Sequence, residues 1–208
     1  MNLEITKFTT GGTIQPGQPV ILFLHGYGAD EKDLPDLMSY LPNLPWLSPR
    51  APLQSEYSGF AWYHITNALN PTESDVLDVT ESLWNWINQE VPETSQLILI
   101  GFSQGALMAT QLLRTHPERI MATVILSGFI YSGELSGDKT LESSKPKVIY
   151  CRGLEDPLIT KEVISRLNSW LQTHTRATTK TYPNLGHSVD GRVMADVSNY
   201  LEGILGEL

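Results

Sequence analysis

The chain has 208 residues, 41% of them hydrophobic and 18% charged, which is enough apolar material for one sizeable core and too little charge for a disordered tail. Its 14 Lys and Arg stand against 23 Asp and Glu, a net charge of -9, which repels phosphate backbones and anionic membrane surfaces and argues against nucleic acid as a partner. The opening MNLEITKFTTGG lacks a basic stretch followed by an apolar one, no run of about 18 apolar residues follows, and the lone Cys151 can form no internal disulfide. A soluble, cytoplasmic protein of one domain, residues 1–208, is expected, with no integral membrane association and no structural metal, since no Cys/His group has zinc-ligand spacing.

In chain order, alternation in LEITKF (residues 3–8) predicts a first strand, and VILFLHG (20–26) is a continuous β-prone run of the kind buried on both faces of a parallel sheet. WLSPR (46–50) predicts the next strand; residues 50–70, rich in Pro, Ser and aromatics, read as a surface loop. Val76, Leu77, Leu83, Trp84 and Ile87 form one helical stripe. Asn70 is placed to cap that helix and Pro71 to open it, with Glu73 and Asp75 at the positive end of the dipole. Strands then follow at QLILIGF (96–102), IMATVILSG (120–128), KVIYCRG (147–153) and ATTKTYP (177–183), with a Gly- and Ser-rich loop over 131–145. Helical stripes recur at Val163, Ile164, Leu167, Trp170 and Leu171, and at Val193, Met194, Val197, Tyr200, Leu201 and Ile204, while Pro92 and Pro117 stop the helices before them. Strands alternating with helices predict an α/β fold, a mostly parallel sheet covered on both faces.

Within this pattern, Gly101-Phe102-Ser103-Gln104-Gly105 interrupts an apolar run. A strand ends there, and a helix apolar nearly all round, from Ala106 to Leu113, begins. That is the context of a nucleophile elbow, where flanking glycines remove Cβ atoms that would collide in a sharp strand-to-helix turn. A serine hydroxyl is a poor nucleophile alone and needs a base, an acid to orient the base, and donors for the oxyanion.

Reactive groups in such folds collect at the carboxyl ends of strands. His187 follows the last strand and precedes the last helix, with Gly186 allowing a tight turn, and is the expected base. His116 and His174 end helices and complement their dipoles, and His64 reads as a solvated loop residue. The acid is Asp156 rather than the neighbouring Glu155, because Pro157 sets the turn and a helix resumes over 159–171. Cys151 lies inside a strand as a small core residue. The oxyanion donors are the backbone N–H groups of Gln104 and, in HGYGAD, of Tyr27 between Gly26 and Gly28; His25 organises that loop. The order Ser103, Asp156, His187 is that of α/β-hydrolases.

On LHGYGAD, GFSQGALMA, RGLEDPLI and LGHSVD, the chain resembles the acyl-protein thioesterase, carboxylesterase and lysophospholipase family of α/β hydrolases over nearly its whole length. The resemblance implies the α/β-hydrolase fold without a large cap domain, no metal or organic cofactor, Ser103, Asp156 and His187 as triad, and Tyr27 and Gln104 at the oxyanion hole. APLQSEYSGFAWYHI is similar to a family segment that ends in a Trp-Phe pair, which makes Trp62 and Tyr63 candidate substrate contacts; the segment of Phe129, Ile130 and Tyr131 is expected to shape the acyl channel. Three departures are Tyr63 for Phe, an extra residue before the Asp of HGYGAD, and Arg152 where the family often has His. The expected activity is hydrolysis of a short- to medium-chain acyl ester or thioester, falling at low pH as His187 takes up a proton. S-acylated protein and lysophospholipid stand as other partners, and a homodimer is open. Two other readings keep the same scaffold: a non-catalytic binding protein, whose expected loss of a triad member is not seen, and an acyltransferase.

Overall fold

The computed structural model describes residues 3–64, 69 and 71–207. Among these residues a seven-stranded sheet runs in spatial order β1 (Phe8–Gly11), β3 (Trp46–Pro49), β2 (Val20–Leu24), β6 (Leu97–Phe102), β7 (Ile120–Leu126), β8 (Lys147–Gly153) and β9 (Arg176–Tyr182). All neighbours are parallel except β1, which pairs antiparallel with β3 at the edge. A separate hairpin joins β4 (Leu53–Gln54) to β5 (Phe60–Ala61).

The side-chain period of two divides each central strand between two cores. Val20, Leu22 and Leu24 of β2 point to the side covered by α1 (Glu73–Glu90), α2 (Gln104–Thr115), α3 (Asp138–Ser144) and α4 (Lys161–His174). Ile21 and Phe23 point to the side covered by α5 (Gly191–Leu205) and a 3-10 turn at Pro35–Tyr40. Burial on both faces is why these strands read as unbroken apolar runs. The outer strand β9 is mostly exposed, and its Arg176 and Lys180 place charge on an edge that would otherwise invite strand addition.

Several expected elements shift. The first strand is Phe8–Gly11 rather than residues 3–8: Leu3 and Ile5 pack on the α1-side core outside any ladder. Gly11 pairs with Trp46, where an added Cβ would lie 2.3 Å from the indole Nε1. Helix α1 is capped by Thr72, whose hydroxyl accepts from Asp75 N–H while the Asp75 carboxylate accepts from Thr72 N–H at 2.8 Å. This reciprocal capping box starts the helix at Glu73, two residues past Pro71; Asn70 lies outside the described residues. Neither the β4–β5 hairpin nor α3 was visible in the sequence, because two-residue strands and a seven-residue helix carry too little periodicity.

The loop between β7 and α3 is held by one buried cation. Arg114 of α2 is 2% exposed and donates Nε to Asp138 Oδ1 at 2.8 Å, Nη2 to Oδ2 at 2.7 Å and Nη1 to the Tyr131 carbonyl at 2.9 Å. Burial raises the Asp138 carboxyl, but the Arg114 hydrogen bonds and the Leu135 N–H outweigh it and leave the group below its ordinary value. A carboxylate with a depressed folded value stabilises the protein above its unfolded value, and that stabilisation is lost as pH falls through the folded one. Asp138→Asn is therefore expected to cost about 3 kcal/mol at pH 7, with the gap from wild type closing as the solution is acidified below the ordinary aspartate range. Urea denaturation of both proteins across that range checks it.

Candidate active site

Strand β6 passes into α2 through a single residue, Ser103, with φ 52° and ψ −115°. Positive φ at a non-glycine residue costs on the order of 1–3 kcal/mol, so neighbouring packing must hold it. A Cβ on Gly105 would lie 2.0 Å from the Leu24 carbonyl oxygen, and one on Gly101 would lie 2.4 Å from the Gly105 carbonyl oxygen. Both flanking glycines are thus required by backbone packed against backbone, and Ser103 N–H is tied to the Leu126 carbonyl at 2.9 Å.

Asp156 stands in the turn after β8, side chain 3% exposed. Its Oδ1 accepts from Leu158 N–H at 2.9 Å and Ile159 N–H at 3.2 Å, which leaves Oδ2 for His187 Nδ1 at 2.7 Å. His187 lies between β9 and α5, and its loop rests on the end of β8 through Leu154 N–H to the Tyr182 carbonyl and Glu155 N–H to the Leu185 carbonyl. Glu155 serves that loop as well, its Oε1 accepting from Asn184 N–H at 3.0 Å. The His187 ring also contacts Phe102, centroids 5.0 Å apart.

Ser103 and His187 line one cavity of about 360 Å³, together with Tyr27 and Gln104. Gly26 to Ala29 form a turn closed by Ala29 N–H on the Gly26 carbonyl at 3.3 Å, with Gly28 at φ 83°, the positive φ that a type II turn needs at its third position. Gln104 is the first residue of α2, where N–H groups have no carbonyl a turn earlier to bond; the Ser103 carbonyl is used by Ala106 and Leu107. The rest of the wall is apolar and includes Leu69, Phe102, Phe129, Leu158 and Ile159.

Trp62 and Tyr63 take a different place from the one expected. They are 0% and 1% exposed and lie behind the cavity instead of on its wall. Trp62 Nε1 donates to the His25 carbonyl at 2.8 Å; Gln104 Oε1 accepts from Trp62 N–H at 2.8 Å, and Gln104 Nε2 donates to the Tyr63 carbonyl at 2.9 Å. The pair therefore joins the Tyr27 loop to the start of α2. Burial pushes the Tyr63 phenol up, and its hydroxyl has no partner among the described residues. His25 is fully buried, accepts Ala51 N–H on Nε2 at 3.0 Å and donates Nδ1 to the Gly26 carbonyl at 2.8 Å. Burial, the largest influence, lowers its pKa, so a neutral imidazole braces the loop.

Of the expected channel segment, Phe129 lines the cavity, whereas Ile130 is buried in the core and Tyr131 lies off the wall. The wall residues missed in the sequence are Leu69, Phe102, Leu158 and Ile159. Only the last two had a usable signal, since an aspartate before proline folds the next residues back over its own carboxylate. A wider groove of about 670 Å³ along α4, from Arg152 to Gln172, meets this site only at Asp156 and Ile159 and contains no nucleophile partnered by a base. Among the described residues no group of three or more His, Cys, Asp or Glu is arranged to hold a metal ion, and no helix is long and apolar enough to cross a membrane.

Known proteins are similar to the chain in sequence and in fold. The phospholipase/carboxylesterase family matches residues 8–205. The carboxylesterase SOBER1 of Arabidopsis thaliana is 23% identical over 202 residues, covering 88% of this chain and 89% of that protein. Acyl-protein thioesterase 1 of Kluyveromyces lactis is 26% identical over 214 residues, covering 92% and 94%. In fold, the chain is similar to the crystal structure of the Bacillus cereus carboxylesterase, with a TM-score of 0.81, 19% identity and coverage of 95% and 94%. With a family match over almost its full length, the chain belongs to the phospholipase/carboxylesterase family of α/β hydrolases.

Proposed function

We propose that the protein is a serine hydrolase that cleaves carboxylic esters or thioesters through an acyl-enzyme on Ser103. The observation that carries the reading is the Asp156–His187 hydrogen bond at 2.7 Å, whose imidazole opens onto the same cavity as the serine at the β6–α2 elbow. Asp156 holds the proton on Nδ1, which leaves Nε2 to accept the Ser103 proton as the serine oxygen attacks the substrate carbonyl. The N–H groups of Tyr27 and Gln104 receive the oxyanion. The imidazolium gives its proton to the departing alkoxide or thiolate. Water then attacks the acyl-enzyme with His187 again as base, releasing the carboxylic acid and restoring the serine hydroxyl.

A cavity of about 360 Å³ lies toward the small end of the roughly 300–1,000 Å³ range of small-ligand pockets, and its lining includes Leu69, Phe129 and Leu158. This supports short- to medium-chain acyl groups. S-acylated proteins and lysophospholipids of that chain length fit the same chemistry.

Purified protein is expected to release p-nitrophenol from the acetate and butyrate esters and to be labelled by a fluorophosphonate. Ser103→Ala should lose turnover by on the order of 10⁴-fold or more and lose labelling, with the melting temperature retained; a variant as active as wild type would end the mechanism. In a series of p-nitrophenyl esters from acetyl to palmitoyl, kcat/KM should peak at short or medium length and fall at least about tenfold by palmitoyl. One misplaced contact of about 1.4 kcal/mol produces a tenfold change, so the series is a sensitive gauge of the wall.

A further inference from the structure

Tyr27 sits in the middle of a loop whose two ends are held by two consecutive residues. At one end, His25 Nε2 accepts from Ala51 N–H at 3.0 Å. At the other, Glu31, 0% exposed, takes both carboxylate oxygens to the fork of Arg50, Nε to Oε2 at 2.5 Å and Nη2 to Oε1 at 2.9 Å. Arg50 is in turn fastened on other sides: its N–H bonds the Lys7 carbonyl at 2.8 Å, and its guanidinium lies over the Phe60 ring, 4.2 Å from the centroid. Phe60 closes the circuit, accepting from Gly28 N–H at 2.9 Å and donating to the Ala29 carbonyl at 2.8 Å. Gly59 makes that approach feasible, since a Cβ there would lie 2.1 Å from the Gly28 carbonyl oxygen.

We infer that Arg50 and Glu31 are positioning residues for the hydrolytic reaction, a partly buried ionic clamp that sets where the Tyr27 N–H meets the developing oxyanion. The inference rests on the hydrolase reading above. An ion pair with one buried member contributes little net stability, because desolvation offsets its attraction, whereas a two-pronged guanidinium–carboxylate contact fixes distance and direction together. Lys7 at 3.6 Å from Glu31 and Asp30 at 3.8 Å from Arg50 are the other charges in reach, and neither makes a fork. Burial raises the Glu31 carboxyl, but its bonds from Arg50 lower it further, so the group ends below its usual value and the clamp stays ionic at neutral pH. Oxyanion donors act only from fixed positions, and a displacement of about 1 Å can cost on the order of 100-fold in rate.

The test compares wild type with Arg50→Lys, which keeps the charge and loses the fork, and with Glu31→Gln. With p-nitrophenyl butyrate, well below the melting temperature, kcat should fall about 10- to 100-fold with KM within about twofold. Affinity for an alkyl trifluoromethyl ketone, whose adduct with Ser103 places an oxyanion in the hole, should fall in step with kcat. A purely structural role would lower the melting temperature and leave both quantities near wild type, and that result overturns the inference. Hydrogen exchange on wild type needs no variant: the Gly28 and Ala29 amides should be protected far beyond an unheld loop, and rapid exchange there also overturns it. Should wild type neither turn over the ester nor react with a fluorophosphonate, the hydrolase reading falls first and the clamp's catalytic role with it; an active wild type beside unimpaired variants sinks the clamp alone.

Discussion

The backbone-to-backbone contact between β2 and the start of α2 governs the rest of the site. Because the carbonyl oxygen of Leu24 lies where a Cβ of residue 105 would be, the helix can enter only over glycine, and the chain must reverse within Ser103 at φ 52°. The strain is local and about 1–3 kcal/mol. Its compensation is broad: β6 is central in the sheet, and α2 is buried along nearly its whole length. A serine held this way at a strand end stands clear of its own helix and strand, and the other loops need only be brought to it.

Those loops are supported from behind by groups that do not themselves line the cavity. Trp62 and Tyr63 connect the Tyr27 loop to Gln104, and His25 anchors Gly26 and Ala51. Glu155 secures the His187 loop through Asn184. Arg114 does the same for the segment beyond Phe129. In each case a polar group, buried except at Glu155, satisfies loop backbone that the sheet cannot reach, as backbone N–H and C=O groups require. The division is physically sensible. Groups at the cavity wall stay free to meet a substrate, and the rigidity they depend on comes from a layer further in.

The family membership and this layering bear on each other. Relatives at 23% and 26% identity cover most of the chain, and at that distance most side chains have changed while the fold remains similar to that of a carboxylesterase structure. The ion pairs of Arg50 with Glu31 and of Arg114 with Asp138 join loops and helices outside the sheet, where exchanges are tolerated as long as backbone groups remain paired.

The sequence by itself determined the alternation of strands and helices, the two-faced burial of the central strands, the elbow at Ser103, and Asp156 and His187 as residues at strand ends. These depend on period, glycine spacing and turn chemistry, which are local. It also carried the expectation that His25 organises its loop, since an imidazole at a strand end can hold a neighbouring carbonyl, as it does at Gly26. It did not carry the true extent of β1, because Leu3 and Ile5 alternate for packing without a ladder partner, nor the capping of α1 by Thr72. Only tertiary structure decided that Trp62 and Tyr63 lie behind the cavity: an aromatic pair in a loop has the same pattern whether it meets substrate or fills a core. The same holds for Leu69 and Phe102 on the wall and for Glu31 meeting Arg50, which stand 19 residues apart. Which side of a residue faces solvent, and which distant charge it finds, is set by how loops from different strand ends pack together, and no period in one stretch of chain encodes that.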